Sequence, residues 1–307
     1  MAAAPALPVT VIGGYLGAGK TTLVNHLLRH AGGRRLAVLV NDFGALPIDA
    51  DLIEGADGAV LAIAGGCVCC AYGSDLIEGL EAMAARRPRP DHVIVETSGV
   101  ALPDAVAQSV QLLASYRRDA IIVVADIETT ARQADDRYMG DTIRRQLAAA
   151  DIVVASKADL AGEDTLAAAQ EWLAGAAPHA AVLPAVRGAL PPEALLGPPA
   201  TGRLLLSRQA PHDAAWSSQA FAIDRPVDAE RLAARLAEPA MGLVRAKGVL
   251  AGRAGPVALQ VVGRRWEVTP AADTPAAGGG LVAIAVGAPL RSDAIHAAIA
   301  EATLAEA

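Results

Sequence analysis

Aromatic side chains are scarce: three Trp, four Tyr and two Phe make up 3% of the 307 residues. A core for this chain must be filled by Ala, Val, Leu and Ile, which dominate its 53% hydrophobic content. Cysteine is equally rare. All three residues fall within Cys67–Cys70, which excludes a disulfide framework. No uninterrupted apolar run approaches the ~18–20 residues of a membrane-spanning helix. Met1–Pro8 has neither the basic segment nor the long apolar stretch of a secretory leader. The expectation is a soluble, cytoplasmic protein. The net charge is −7, with no block of like charge. This argues against a general nucleic-acid or anionic-membrane surface, so neither partner is expected. No internal repeat is present.

Against these absences stands Gly14-Tyr-Leu-Gly-Ala-Gly-Lys-Thr21, a complete G-x-x-x-x-G-K-[ST] phosphate-binding loop. The apolar Pro8–Ile12 precedes it as a buried strand. Thr21–Leu28 follows as a helix with residues 23, 24, 27 and 28 on one face. Strand, glycine loop and helix form the context the motif requires. Glycines at Gly14, Gly17 and Gly19, with the small Ala18 between, let backbone N–H groups turn inward around a phosphate. The helix N-terminus adds its positive dipole end at Thr21 and Thr22. Lys20 reaches the β- and γ-phosphates, and the Thr21 hydroxyl is suited to Mg²⁺. The motif predicts a nucleoside-triphosphate site.

Further buried strands are expected at Arg35–Val40, Ala59–Ile63, His92–Glu96, Ala120–Ala125 and Asp151–Ala155. Helical stretches are expected near Ser74–Arg87 and over residues 128–149. Apolar runs alternating with helices predict an α/β fold, a doubly wound and mostly parallel sheet of the P-loop NTPase type. Ligands then belong at the carboxyl ends of the strands. The loop after the second strand carries Asn41 and Asp42. The fourth strand ends in Glu96, a Walker-B pattern in which the carboxylate holds Mg²⁺ or orients the attacking water. Lys20 and Glu96 are therefore the candidate catalytic residues. Prolines break the pattern between Pro191 and Asp213. This predicts a nucleotide-binding domain over 1–200, a linker at 201–215 and a small α+β domain over 216–307. Within the last, Asp228 is the expected N-cap of a helix reaching Leu236. Arg245 and Lys247 read equally as surface charge or as contacts to nucleotide or client.

Directly after Asp151–Ala155 stands Ser156-Lys-Ala-Asp159. GTPases read guanine with Asn-Lys-x-Asp at this place. The aspartate accepts hydrogen bonds from the base, and the lysine stem packs on the ring. Adenine offers no matching donors, so an unpaired, desolvated aspartate rejects it. Ser156, Lys157 and Asp159 thus favour GTP as substrate.

Cys67-Val-Cys-Cys70 supplies three thiolates in four positions. In extended backbone Cys67 and Cys69 point the same way, and a turn is needed to bring in Cys70. Thiolates select Zn²⁺ or Cu(I), and Zn²⁺ takes four ligands. Asp42, a substrate, water or a partner's ligand would complete the shell. A redox role is the alternative, though Cys69 and Cys70 are adjacent. The six histidines read as satisfied or surface residues. His26 and His30 share a helical face, but no third ligand stands near.

Together, Gly14–Thr21, Asn41-Asp-Phe-Gly, Gly66-Cys-Val-Cys-Cys, Glu96-Thr-Ser-Gly and Ser156-Lys-Ala-Asp-Leu resemble the CobW-type P-loop GTPases, relatives of the nickel-insertion GTPases. Phe221-Ala-Ile-Asp-Arg-Pro, Val244-Arg-Ala-Lys-Gly248 and Val262-Gly-Arg-Arg are similar to that family's carboxy-terminal domain. The resemblance implies GTP hydrolysis coupled to handling Zn²⁺, with Co²⁺ as a second metal, at Cys67, Cys69, Cys70 and Asp42. It also implies delivery to a client protein. The alternative is a metal-sensing protein whose GTP turnover is incidental. A monomer or homodimer is expected. Asp42 and Ser156 depart from the family's usual glutamate and asparagine, and no histidine-rich tract is present.

Overall fold

The computed structural model describes residues 5–41, 59–63, 74–197, 216–271 and 279–304. Asp42, Cys67, Cys69, Cys70 and the expected linker lie outside these residues. The chain divides into two compact units, Met1–Pro178 with Val182–Leu196, and His179–Ala181 with Gly197–Ala307.

In the first unit β1 (Leu7–Gly13) is buried along its whole length. It pairs in parallel with β4 (His92–Glu96) and β5 (Tyr116–Asp126). With β2 (Leu36–Asn41), β3 (Ala59–Ile63), β6 (Ile152–Ser156) and β7 (Ala181–Ala185) they form a seven-stranded sheet, ordered β3-β2-β4-β1-β5-β6-β7. Continuous β-branched runs such as Val93-Ile-Val95 and Ile121–Val124 suit strands covered on both faces, and these residues are buried. The helices are α1 (Lys20–Arg29), α2 (Ser74–Ala85), α3 (Pro103–Gln111), α4 (Thr130–Ala134), α5 (Gly140–Ala148), α6 (Glu163–Ala176) and α7 (Pro192–Leu196). Leu23, Val24, Leu27 and Leu28 line the buried face of α1. Trp172 lies half-buried on α6.

Polar residues inside this sheet have partners. Thr10 Oγ1 and His92 Nε2 share a hydrogen bond of 2.8 Å. β5 begins at Tyr116, well ahead of the apolar run at Ala120, because its first polar residues have charged partners. Arg118 pairs with Asp151 at 3.0 Å, and Asp151 also accepts the Ile121 N–H at 2.7 Å. The register against β1 shifts between Val9 and Thr10. Asp119 is the extra residue of this bulge, buried and 3.7 Å from Arg117. The expected crossover over 128–149 is two helices instead of one. Asp136 Oδ1 accepts the N–H groups of Tyr138 and Met139, and a Cβ on Gly140 would stand 2.4 Å from the Ala134 carbonyl oxygen.

The second unit carries an antiparallel sheet, ordered β11-β10-β9-β12-β8. Its strands are β8 (Trp216–Ile223), β9 (Arg245–Gly252), β10 (Gly255–Val262), β11 (Arg265–Pro270) and β12 (Gly279–Val286). Alternate residues Phe221, Ile223, Leu259, Val261, Leu281 and Ala283 join a core with Leu232 and Leu236 of α8 (Ala229–Leu236) and Ile295 of α9 (Ser292–Ala302). Asp228 caps α8, its carboxylate accepting the Arg231 N–H at 3.1 Å. Arg245 is fully buried, which removes the surface-charge reading for it. A Cβ on Gly197 would lie 2.9 Å from its guanidinium. No helix among the described residues is long and apolar enough to cross a membrane.

Candidate functional site

The site is assembled at the carboxyl ends of the parallel strands. β1 runs into the phosphate loop through Gly14, whose φ of +133 and packing both require glycine. A Cβ there would meet the Val124 carbonyl oxygen at 2.2 Å. Gly17 (φ +71) and Gly19 (φ +100) also occupy backbone that side chains rarely adopt. Gly19 is the N-cap of α1. Lys20, the first residue of the helix, is buried, and its ammonium donates to the Tyr15 carbonyl at 3.2 Å. The lysine is thus folded back over the loop that precedes it. Thr21 is half-buried and Thr22 exposed.

Three strands on in sequence but adjacent in the sheet, β4 delivers Glu96. It pairs with Ile12 across the β1–β4 ladder and is almost fully buried. The Thr21 hydroxyl donates to Glu96 Oε1 at 2.8 Å. The structure therefore joins the residue after the P-loop lysine to the carboxylate at the strand end. The Thr97 N–H donates to the Ile12 carbonyl at 2.9 Å. A Cβ on Gly99 would stand 2.6 Å from Leu16 of the phosphate loop. Segment 97–99 consequently lies across that loop.

Ser156 ends β6, and its hydroxyl donates to the Ala18 carbonyl at 2.7 Å. The serine thus ties the end of β6 to the phosphate loop. Lys157 adopts left-handed backbone (φ +60) and pairs with Asp126 Oδ2 at 2.7 Å. Asp159 is exposed in the turn that the Leu160 N–H closes on the Lys157 carbonyl at 3.0 Å. Lys20, Thr21 and Glu96 are brought together, and so are Ala18, Ser156 and Lys157.

Two participants were not expected from the sequence. Asp126 ends β5 as Glu96 ends β4, and a carboxylate closing a buried run was its available signal. Gln146 of α5 is buried, and its amide donates to the carbonyls of Gly99 (3.1 Å) and Ala101 (2.7 Å). Its signal was a polar residue beside Leu147 on the apolar face of a helix. Among the histidines, His26 donates from Nε2 to the Leu190 carbonyl at 3.0 Å and stacks on His30 with ring centroids 4.2 Å apart. Among the described residues, no group of three or more His, Cys, Asp or Glu could hold a metal.

A glycine loop between strand and helix, a buried lysine, and a threonine bonded to a strand-end carboxylate define a P-loop nucleotide-binding protein. Comparison with known proteins makes this specific. The CobW/HypB/UreG nucleotide-binding domain matches residues 8–184, and the cobalamin synthesis protein cobW C-terminal domain matches residues 216–303. The chain belongs to this family. It is 34% identical over 182 residues to the zinc chaperone CobW of a Sinorhizobium species, covering 50% of this chain and 51% of that protein. It is 37% identical over 184 residues to the zinc chaperone CobW of Pseudomonas aeruginosa, covering 50% and 49%. The zinc-regulated GTPase metalloprotein activator 1 of Schizosaccharomyces pombe is 32% identical over 164 residues, covering 50% and 39%. The chain thus spans about half the length, or less, of these relatives in the matched region.

Proposed function

We propose that this protein binds GTP, hydrolyses it, and uses the cycle to hold and release zinc, with cobalt as a second metal, for a client protein. The order of the strand ends carries this reading. Asn41 faces Ile63 in the β2–β3 ladder, and Val40 faces Glu96 in the β2–β4 ladder. The segments containing Asp42 and Cys67–Cys70 therefore start from neighbouring strand ends, next to the strand that carries Glu96. Adjacent strands are spaced by ~4.8 Å, so the strands that precede these two segments end within a few strand spacings of Glu96. The relatives, zinc chaperones and a zinc-regulated GTPase metalloprotein activator, support the same assignment.

In this reading the backbone at Gly14, Gly17, Ala18, Gly19 and Thr22 cradles the phosphates, and Lys20 leaves Tyr15 to contact the β- and γ-phosphates. Thr21 and Glu96 offer a hydroxyl and a carboxylate side by side, the hard oxygen donors that suit Mg²⁺. When bound, Mg²⁺ supplies charge neutralisation along the phosphate chain. Glu96 additionally orients the attacking water. Ser156 braces the loop, while Lys157 and Asp159 read guanine. Cys67, Cys69, Cys70 and Asp42 hold the transported metal, and the first unit performs the nucleotide chemistry.

The test is a competition titration of zinc and cobalt against the reduced protein, with a non-hydrolysable GTP analogue, GDP or no nucleotide. Stoichiometric binding that disappears in Cys67→Ala and shifts several-fold with the nucleotide is expected. Absence of stoichiometric binding would sink the metal reading. Binding indifferent to nucleotide would replace delivery by sensing. In parallel, Glu96→Gln should lower GTP turnover by about 10²-fold or more while nucleotide still binds. A fully active variant would remove Glu96 from the chemistry.

A further inference from the structure

The Lys157 ammonium is held by a carboxylate that the sequence motif does not contain. Asp126 closes β5 with its side chain only 7% exposed, against 38% for Lys157, and the two meet at 2.7 Å. Both carboxylate oxygens are committed. Oδ2 takes the ammonium, and Oδ1 accepts the Glu128 N–H at 2.9 Å. The backbone is registered at the same point: Asp126 pairs with Ser156 across β5 and β6, and the Ile127 N–H donates to the Ser156 carbonyl at 3.3 Å. Ser156 in turn anchors to Ala18. The lysine thus follows directly on a registered strand end at Ser156 and is held by Asp126 at its tip. Its left-handed φ is uncommon for a residue with a side chain. Strained backbone of this kind persists where the surroundings over-determine it, typically at binding sites.

We propose that Asp126 is a positioning residue for the nucleobase, holding the Lys157 ammonium so that the lysine's four-carbon stem is presented as a fixed apolar surface against the ring. The proposal rests on the nucleotide reading above. A free lysine would lose rotamer freedom on each binding event. One already held by a buried carboxylate has lost it in folding, so more of the contact energy appears as affinity. Asp126 itself touches no base in this scheme.

The test is a double-mutant cycle on the full chain, using Asp126→Asn, Lys157→Met and the double variant. Asparagine keeps an acceptor for the Glu128 N–H and removes the charge that holds the lysine. The readouts are the Kd of a fluorescent GTP analogue and competition by inorganic tripolyphosphate, which fills a phosphate loop but has no base. Each single variant should weaken the GTP analogue by about tenfold, and the double variant by no more than the weaker-binding single. Tripolyphosphate affinity should stay within about twofold of the wild type throughout, since its contacts avoid this corner. The idea is overturned by wild-type affinity in Asp126→Asn, by an equal loss when Lys157 is already Met, or by a parallel loss of tripolyphosphate binding. Equal wild-type affinity for GTP and ATP would overturn the guanine assignment and not this one, because the lysine stem packs on either purine.

Discussion

At Gly14 a single methyl group would stand 2.2 Å from the Val124 carbonyl oxygen, on backbone with φ +133. Gly14→Ala combines left-handed strain with overpacking against the neighbouring strand, and about 3 kcal/mol of stability is expected to be lost. Thermal unfolding without nucleotide measures it. An unchanged Tm would mean that the loop moves away instead, and nucleotide affinity would then collapse. Ser156 presents a milder case. Its hydroxyl donates to Ala18 at 2.7 Å and lies 3.3 Å from the Ala125 carbonyl. Ser156→Ala leaves the buried Ala18 carbonyl short of a donor, for a cost of about 1–2 kcal/mol. Urea denaturation should show it, together with weaker nucleotide binding, because the bond braces the phosphate loop against the end of β6.

Helix α5 acts on the site through one buried residue, Gln146. Gln146 carries two hydrogen bonds into the segment that follows Glu96, and Gly99 of that segment packs on Leu16. Gln146→Leu removes both donors at nearly constant volume. Faster amide exchange across residues 97–101 and slower GTP turnover are expected, with exchange in β1 unchanged. Unaltered exchange in 97–101 would show that the segment is held by its other contacts alone.

Helix α1 offers a pH-dependent counterpart. Burial, foremost, holds His26 below the usual histidine range. The nearby His30 and Arg29 act in the same direction, and the bond to Leu190 opposes them. The folded value lies below the unfolded one, near 6.5. The contribution of neutral His26 is therefore complete above about pH 6.5 and is lost as pH falls through the folded value. Wild type should lose more stability than His26→Gln between pH 7.5 and 5.5, by a small amount because the ring is partly exposed. Matching losses in urea melts would assign the acid sensitivity elsewhere.

Across the whole molecule, legibility followed the range over which a residue's role is decided. Pro8–Ile12, Val93–Val95 and Val153–Ala155 announce themselves as strands because burial on both faces demands continuous apolar runs. The phosphate loop is legible because its function is local to eight residues. β7 was not anticipated: Ala181-Val-Leu-Pro-Ala185 is a half-buried edge strand containing proline, which a pattern search rejects. The polar start of β5 was missed because Arg118 is satisfied by Asp151, 33 residues away. The Asp126–Lys157 and Gln146–Gly99 contacts span 31 and 47 residues. Each partner is unremarkable until the sheet brings the two together.

The scarcity of aromatics also makes the two units optically separable. Trp172 on α6 is the single tryptophan of the first unit, and Trp216 and Trp266 both belong to the second. In Trp216→Phe/Trp266→Phe protein, intrinsic emission reports on the nucleotide-binding unit alone. In Trp172→Phe protein it reports on its neighbour. Unfolding curves from the two proteins, with and without GTP analogue, would tell whether ligand bound to one unit protects the other. Coincident transitions that move together would mean one cooperative body, and a shift confined to Trp172 would mean that each unit melts on its own.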